Sequence, residues 1–174
     1  MMVRSFLVII SLFFFSEMYA QKTAYEKIDS LIKAVTDLPD TAKRQKVLAL
    51  NDLATAYMHT SNFVQAARFY TESLDLATQV KDELLMALVY RNMAVLSLNQ
   101  SNNAKMKEYH QKALAIYEKR NDKIRKADLL KLMADIMLTN GDTMNAHRYY
   151  EEAIAVFRET RNRLAEAMAY ANFS

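Results

Sequence analysis

Three histidines, His59, His110 and His147, are the side chains here best suited to hold a metal or move a proton near neutral pH. No two of them stand four residues apart, and none belongs to a His-Glu-x-x-His pattern, so the spacing that puts two imidazoles on one helical face is missing. His110 instead occupies an aromatic core position in a repeat described below. No serine has a histidine at a readable spacing, which leaves nucleophilic catalysis without a candidate. The acidic pairs Asp82-Glu83 and Glu151-Glu152 fall at helix starts or on solvated faces, where carboxylates favour the helix dipole. The chain has no Cys, which removes thiol chemistry, disulfides and zinc knuckles. Its one glycine, Gly141, cannot build a glycine-rich phosphate loop. We therefore expect no enzyme, no cofactor and no metal.

The elements that carry these residues must be helical. Hydrophobic residues make up 52% of the 174 positions and charged ones 25%, the balance of one globular domain with a real core. A single glycine argues against an all-β chain, which needs turn glycines in quantity. The 23 basic and 20 acidic residues are spread along the chain, and the net charge of +3 reflects no basic tail or patch. Nucleic-acid binding is not expected.

Residues 1–20 differ in kind from the rest. Arg4 begins an apolar run from Phe6 to Phe15 that Ser11 alone interrupts, and Ser16 to Ala20 form a polar-to-small exit. This reads as a secretory signal peptide cleaved between Ala20 and Gln21, although Met18 stands where a smaller residue is preferred. The run is shorter than the roughly 20 residues of a membrane-spanning helix. The mature chain is expected to be exported to the periplasm without a membrane span.

Beyond it, a period of forty residues organises the chain. Leu53-Ala54, Met93-Ala94 and Met133-Ala134 share one register; Ala66, Met106 and Ala146 share another, as do Tyr70, His110 and Tyr150. Asn62, Asp82, Asn102, Asp122, Asp142 and Asn162 recur every twenty residues. Asn and Asp make good N-caps because the side-chain oxygen accepts from an orphaned N–H of the first turn. Caps at that interval predict helices of about 17 residues, roughly 26 Å long, joined by turns so short that neighbours run antiparallel. Asn62 and Gln65 have the spacing of a capping box. Val47, Leu50, Leu53, Ala54 and Tyr57 form one apolar stripe, and Phe63, Ala66, Tyr70, Leu74 and Ala77 form its partner. Upstream, Tyr25 to Leu38 reads as a helix presenting Ile28, Leu31, Ile32 and Val35, after which Leu38-Pro39-Asp40-Thr41 breaks and re-caps the chain.

This pattern resembles the tetratricopeptide repeat. The first repeat matches its signature with Leu53, Ala54, Tyr57, Ala66, Tyr70 and Ser73, and the third with Met133, Ala134, Gly141, Ala146, Tyr150 and Ala153. In the second, Ser97, Met106 and His110 replace the usual aromatic, Ala and aromatic residues. The resemblance implies an all-α fold, an α-solenoid of antiparallel helical hairpins. The expected divisions are a signal peptide at 1–20, a helix and break at 21–40, repeats at 41–80, 81–120 and 121–160, and the first helix of a fourth repeat at 161–174. A leader followed by a short helix and long-period repeats is similar to the exported N-terminal sensory regions of bacterial sensor histidine kinases and related regulators.

What the resemblance implies for function is a concave groove lined by the first helix of each repeat. The groove positions would be Asn51, Thr55, Met58 and His59; Arg91, Val95 and Asn99; and Lys131 and Asp135, with Leu48, Leu88, Leu98, Asp128, Leu138 and Thr139 beside them. Arg91 and Lys131 share one column, so two cations would face an acidic peptide or a C-terminal carboxylate. Chaperone-binding members use a Lys and Asn clamp where Asn51 and Thr55 stand here, so that activity is not expected. The column Phe69, Tyr109 and Tyr149 is expected to pack between repeats, the alternative being an exposed recognition ladder. The expected protein is a non-catalytic, exported scaffold for a protein or peptide partner, a sensory or adaptor module of a signalling system. The alternative is the N-terminal part of a larger sensor or regulator: Met168, Tyr170 and Phe173 continue the core pattern up to Ser174, as if a partner helix followed.

Overall fold

The computed structural model describes residues 22–173, and every regular element among them is an α-helix. The first, α1, covers 22–37. It is followed by α2 (Lys43–His59), α3 (Phe63–Gln79), α4 (Glu83–Asn99), α5 (Asn103–Lys119), α6 (Lys123–Thr139), α7 (Thr143–Glu159) and α8 (Arg163–Phe173). The expected leader and its cleavage point at Ala20 and Gln21 lie outside the described residues.

The turns show why the helices α2 to α7 are all 17 residues long. After α2 the chain swings into the left-handed region at Ser61, whose N–H bonds Met58 O at 3.0 Å, while the N–H of Asn62 bonds Tyr57 O at 2.9 Å. That closes α2 by satisfying its last carbonyls. The Asn62 side chain at once caps α3 by accepting from Gln65 N at 3.3 Å. One residue thus ends a helix and starts the next. The device repeats at Lys81, Ser101, Asn121, Gly141 and Arg161, all with positive φ, each followed by an Asn or Asp cap.

Two expectations about capping need correcting. Gln65 does not return a bond to Asn62; its Oε1 accepts from Arg68 Nε at 3.0 Å, so the reciprocal half of the capping box is absent. The start of α2 has no side-chain cap at all: Ala42 stands at that place, and its N–H closes a turn onto Pro39 O at 2.9 Å.

Helices pair as hairpins, α2 with α3, α4 with α5 and α6 with α7, and the hairpins stack through α3 on α4, α5 on α6 and α7 on α8. Close approach within a hairpin is possible because its contact positions are small: Ala54, Ala66, Ala134 and Ala146 are all fully buried. Tyr70 and Tyr150 fill the space beside them, also buried. Ser73 adds a polar tie, its Oγ donating to Val47 O at 2.9 Å across the first hairpin. Ion pairs join successive hairpins on the outside, Lys126 to Glu118 and Arg158 to Glu166 among them. At the N-terminal end α1 buries Ile28, with Leu31 and Val35 packed beside it. Ile32, expected on the same face, is 37% exposed because no helix precedes α1 to cover it among the described residues.

Candidate functional site

The first helices of the hairpins, α2, α4, α6 and α8, wall a cleft of about 600 Å³. From α4 come Leu84, Leu85, Leu88 and Arg91, and α2 adds Leu48. The facing wall is Asp128, Lys131, Leu132 and Asp135 of α6, with Met168 of α8 at its far end. Tyr117 of α5 and Arg125 of α6 close the rim. The cleft therefore combines leucines with charges on both walls, the composition of a surface that takes amphipathic side chains.

Of the nine expected groove residues, Arg91, Lys131 and Asp135 line this cleft. The other six are placed elsewhere. Asn51 is buried, its Oδ1 accepting from Asn92 Nδ2 at 2.9 Å, which ties α2 to α4. The Thr55 hydroxyl donates to Asn51 O at 2.9 Å and lies 2.9 Å from Tyr70 Oη. Met58 is buried, and the half-buried Val95 packs against the core of the first hairpin. His59 and Asn99 are exposed at the last turns of α2 and α4. Leu98 lines a different cleft, about 550 Å³, between the α4–α5 and α6–α7 turns. The residues that line the cleft lie nearer the N-terminal halves of the first helices than the repeat pattern indicated. That is why Leu84, Leu85, Tyr117 and Arg125 were missed; the run Glu83-Leu84-Leu85-Met86-Ala87-Leu88, too apolar for one buried stripe, was the available signal.

Electrostatics separates the two cations of the shared column. Lys131 Nζ bonds Asp135 Oδ2 at 2.8 Å, one turn away on the same helix. Asp135 also accepts from Tyr150 Oη at 2.5 Å and Asn172 Nδ2 at 3.0 Å. Burial pushes the Asp135 carboxyl up, but these three donors outweigh it and hold the group below its ordinary value. Arg125 is likewise committed, to Asp122 Oδ2 at 2.5 Å. Arg91 donates only to the neutral amide oxygen of Asn92, at 3.3 Å, and pairs with no carboxylate within 4 Å among the described residues. Across from it, burial raises the Asp128 carboxyl and the pull of Arg91 opposes that rise.

The aromatic column packs rather than projects. Phe69 stacks on Tyr57 with centroids 5.5 Å apart, and Tyr109 on Tyr90 at 6.1 Å. Tyr149 meets His110 edge-on at 6.2 Å. Each ring carries a cation on its outer side: Arg68 over Phe69, Lys112 over Tyr109 and Arg148 over Tyr149. Among the described residues no group of three or more His, Asp or Glu is placed to share a metal ion, and no helix is long and apolar enough to cross a membrane.

Comparison with known proteins agrees with this geometry. Residues 85–159 match the tetratricopeptide repeat family. No curated protein sequence matches the chain. Among solved structures, BtubC (BKLC) from P. vanneervenii is similar in fold, with a TM-score of 0.67 at 14% identity, over 88% of this chain and 68% of that one. Aspartyl phosphate phosphatase F from Bacillus subtilis is similar with a TM-score of 0.70 at 17% identity, over 87% of this chain. The match spans only 40% of the phosphatase chain, and at such identities the likeness is one of fold. Helical hairpins stacked at a forty-residue period and closed by left-handed turns make this chain an α-solenoid of tetratricopeptide-like repeats, of which residues 85–159 match the family itself.

Proposed function

We propose that the protein is a non-catalytic scaffold that holds a peptide segment of a protein partner in the cleft between α4 and α6. The observation that carries this reading is Arg91: a half-buried guanidinium without a carboxylate partner among the described residues, beside the leucines Leu84, Leu85 and Leu88. A desolvated cation of this kind favours a ligand that brings its own carboxylate, with apolar side chains on either side of it. Tetratricopeptide repeats commonly bind protein partners, which supports the general reading. The acidic, apolar character of the ligand rests on Arg91 and the leucines.

Export and a sensory or adaptor role in a bacterial signalling system are part of the same proposal. They rest on the leader-like residues 1–20 and on the resemblance in domain order to sensor proteins. The ligand test is fluorescence anisotropy with peptides selected from a displayed library, titrated against the wild type and Arg91→Glu. Tight binding lost in the variant supports the proposal, and equal affinity for both proteins removes it. Export is tested by the intact mass of the protein recovered from the periplasm: a chain beginning at Gln21 agrees, and one retaining Met1 in the cytoplasm does not.

A further inference from the structure

The second hairpin departs from its neighbours at position 110. Forty residues before and after stand Tyr70 and Tyr150, and each hydroxyl has a partner on the first helix of its own hairpin, Thr55 at 2.9 Å and Asp135 at 2.5 Å. The residue equivalent to Thr55 and Asp135 in the second hairpin is Val95, which has no polar side-chain atom. His110 is 5% exposed, and its Nδ1 has no hydrogen-bond partner among the described residues. An unmade bond at a dry nitrogen is uncommon in a folded core.

The packing around His110 is divided. On one side Met106 joins Ala94, Met133 and Ile136 in a small cluster; on the other Ala113 and Tyr117 join Ala87 and Leu129. His110 stands between them on α5, and its ring reaches Tyr149 of α7, in the next hairpin. Of the seams between successive hairpins, α5 against α6 is the most sparsely packed. One ion pair crosses it at the surface, Lys126 to Glu118 at 2.7 Å, where water screens it. The walls of the cleft lie on opposite sides of this seam, Leu88 and Arg91 on α4 facing Asp128 and Lys131 on α6.

We propose that the α5–α6 seam is a hinge that sets the width of the cleft, and that His110 is its acid-sensitive latch. Protonating the imidazole places an unpaired charge between the two small clusters and loosens the contact of α5 with α6 and α7. Burial alone holds the imidazole down at about 4, so the ring is neutral at pH 7. No charged group of α4, α6 or α7 contributes to that shift; Tyr149, edge-on, is the titratable contact from α7. On α5 itself Glu108 and Lys112 pair with each other on the outer surface at 2.6 Å. The imidazolium therefore has no carboxylate to receive it, and opening to water is its outlet. The inference concerns the seam and stands whether or not a peptide occupies the cleft.

These 174 residues contain no Cys, so two spin labels can be attached to the chain at exposed positions, Asp52→Cys on α2 and Ala167→Cys on α8. The expected result is a label–label distance distribution that shifts and broadens as pH falls from 7 to 4, with far-UV dichroism unchanged. His110→Phe should keep the neutral-pH distribution throughout. A wild type whose distances do not move by pH 4 overturns the proposal, as does a His110→Phe variant that moves in parallel with it, which would assign the change to carboxylates such as Glu118. An imidazole NMR titration of the unlabelled wild type gives a second reading that needs no variant. Titration of His110 below pH 5, together with the distance change, supports the latch, and titration near 6.5 overturns it.

Discussion

Asp135 and Tyr150 meet at 2.5 Å, the carboxylate of α6 accepting from the phenol of α7. Asn172 of α8 donates to the same oxygen at 3.0 Å, and Lys131 to the other at 2.8 Å. One carboxylate thus joins three helices and also withdraws a cation from the cleft. Burial first, and then the hydrogen bond to Asp135, push the Tyr150 phenol up to about 12. The first hairpin makes the equivalent contact through neutral groups, Thr55 and Tyr70, so of these two contacts only that of the third hairpin involves a carboxylate.

Asp135→Ala should remove the acceptor that Tyr150, Lys131 and Asn172 share and cost about 2 kcal/mol. Tyr150→Phe should cost about 1 kcal/mol. Denaturant unfolding measures both, and hydrogen exchange should show α8 losing protection in Asp135→Ala well before α2 and α3 do.

The same carboxylate sets a pH dependence. Its folded value lies below the ordinary 3.8, so the unfolded chain takes up the proton first as acid is added. The contribution is complete above the unfolded value and is lost as pH falls through the folded one. Asp135→Asn should flatten this part of the stability profile below pH 4, which thermal melts from pH 6 to pH 2.5 would detect. An unchanged profile would place the titration elsewhere.

Left-handed turns give a nearly context-free pair of tests. Gly141 has φ +79° and nothing within 4 Å of where a Cβ would stand, so Gly141→Ala should cost about 1 kcal/mol through backbone conformation alone. Ser101 has the same role at φ 57°, and Ser101→Gly should stabilise by up to about 1 kcal/mol. Thermal denaturation of the two variants should move in opposite directions.

Much of the fold was legible because the repeat is written in residues with narrow tolerances. Ala54, Ala94 and Ala134 mark the close approaches within hairpins, and the Asx residues every twenty positions mark the caps. All six of those Asx residues do accept from a backbone N–H of the helix that follows. Turns closed by Ser61 or Lys81 were less evident, because a left-handed residue is readable from sequence mainly when it is glycine. The site was harder to read. Asn51 and Arg91 occupy one column of the repeat, yet Asn51 turns into the α2–α4 seam to bond Asn92, forty-one residues away. Nothing local to Asn51 signals that. The pairing of Lys131 with Asp135 was readable from their i, i+4 spacing. Its consequence, that only Arg91 of the column stays uncommitted, depends on Tyr150 and Asn172 arriving from other helices.

Core volume is a further point of control. Ala54 is fully buried between α2 and α3, and Ala54→Leu should cost about 3 kcal/mol by forcing the hairpin apart. The loss should appear as a lower midpoint in urea. A neutral result would mean that the first hairpin has slack that its packing does not show.

Peptide binding around Arg91, proposed for the cleft between α4 and α6, can be read residue by residue. The most direct test is a chemical-shift map of the isotope-labelled protein titrated with the tightest acidic, apolar peptide selected from a displayed library. Shifts should centre on Leu48, Leu88, Arg91, Asp128 and Lys131, with affinity falling about tenfold or more in Arg91→Glu. Lys131→Met should have a smaller effect, because that cation is already paired. Shifts confined to α3, α5 and α7, or an affinity indifferent to Arg91, would contradict it.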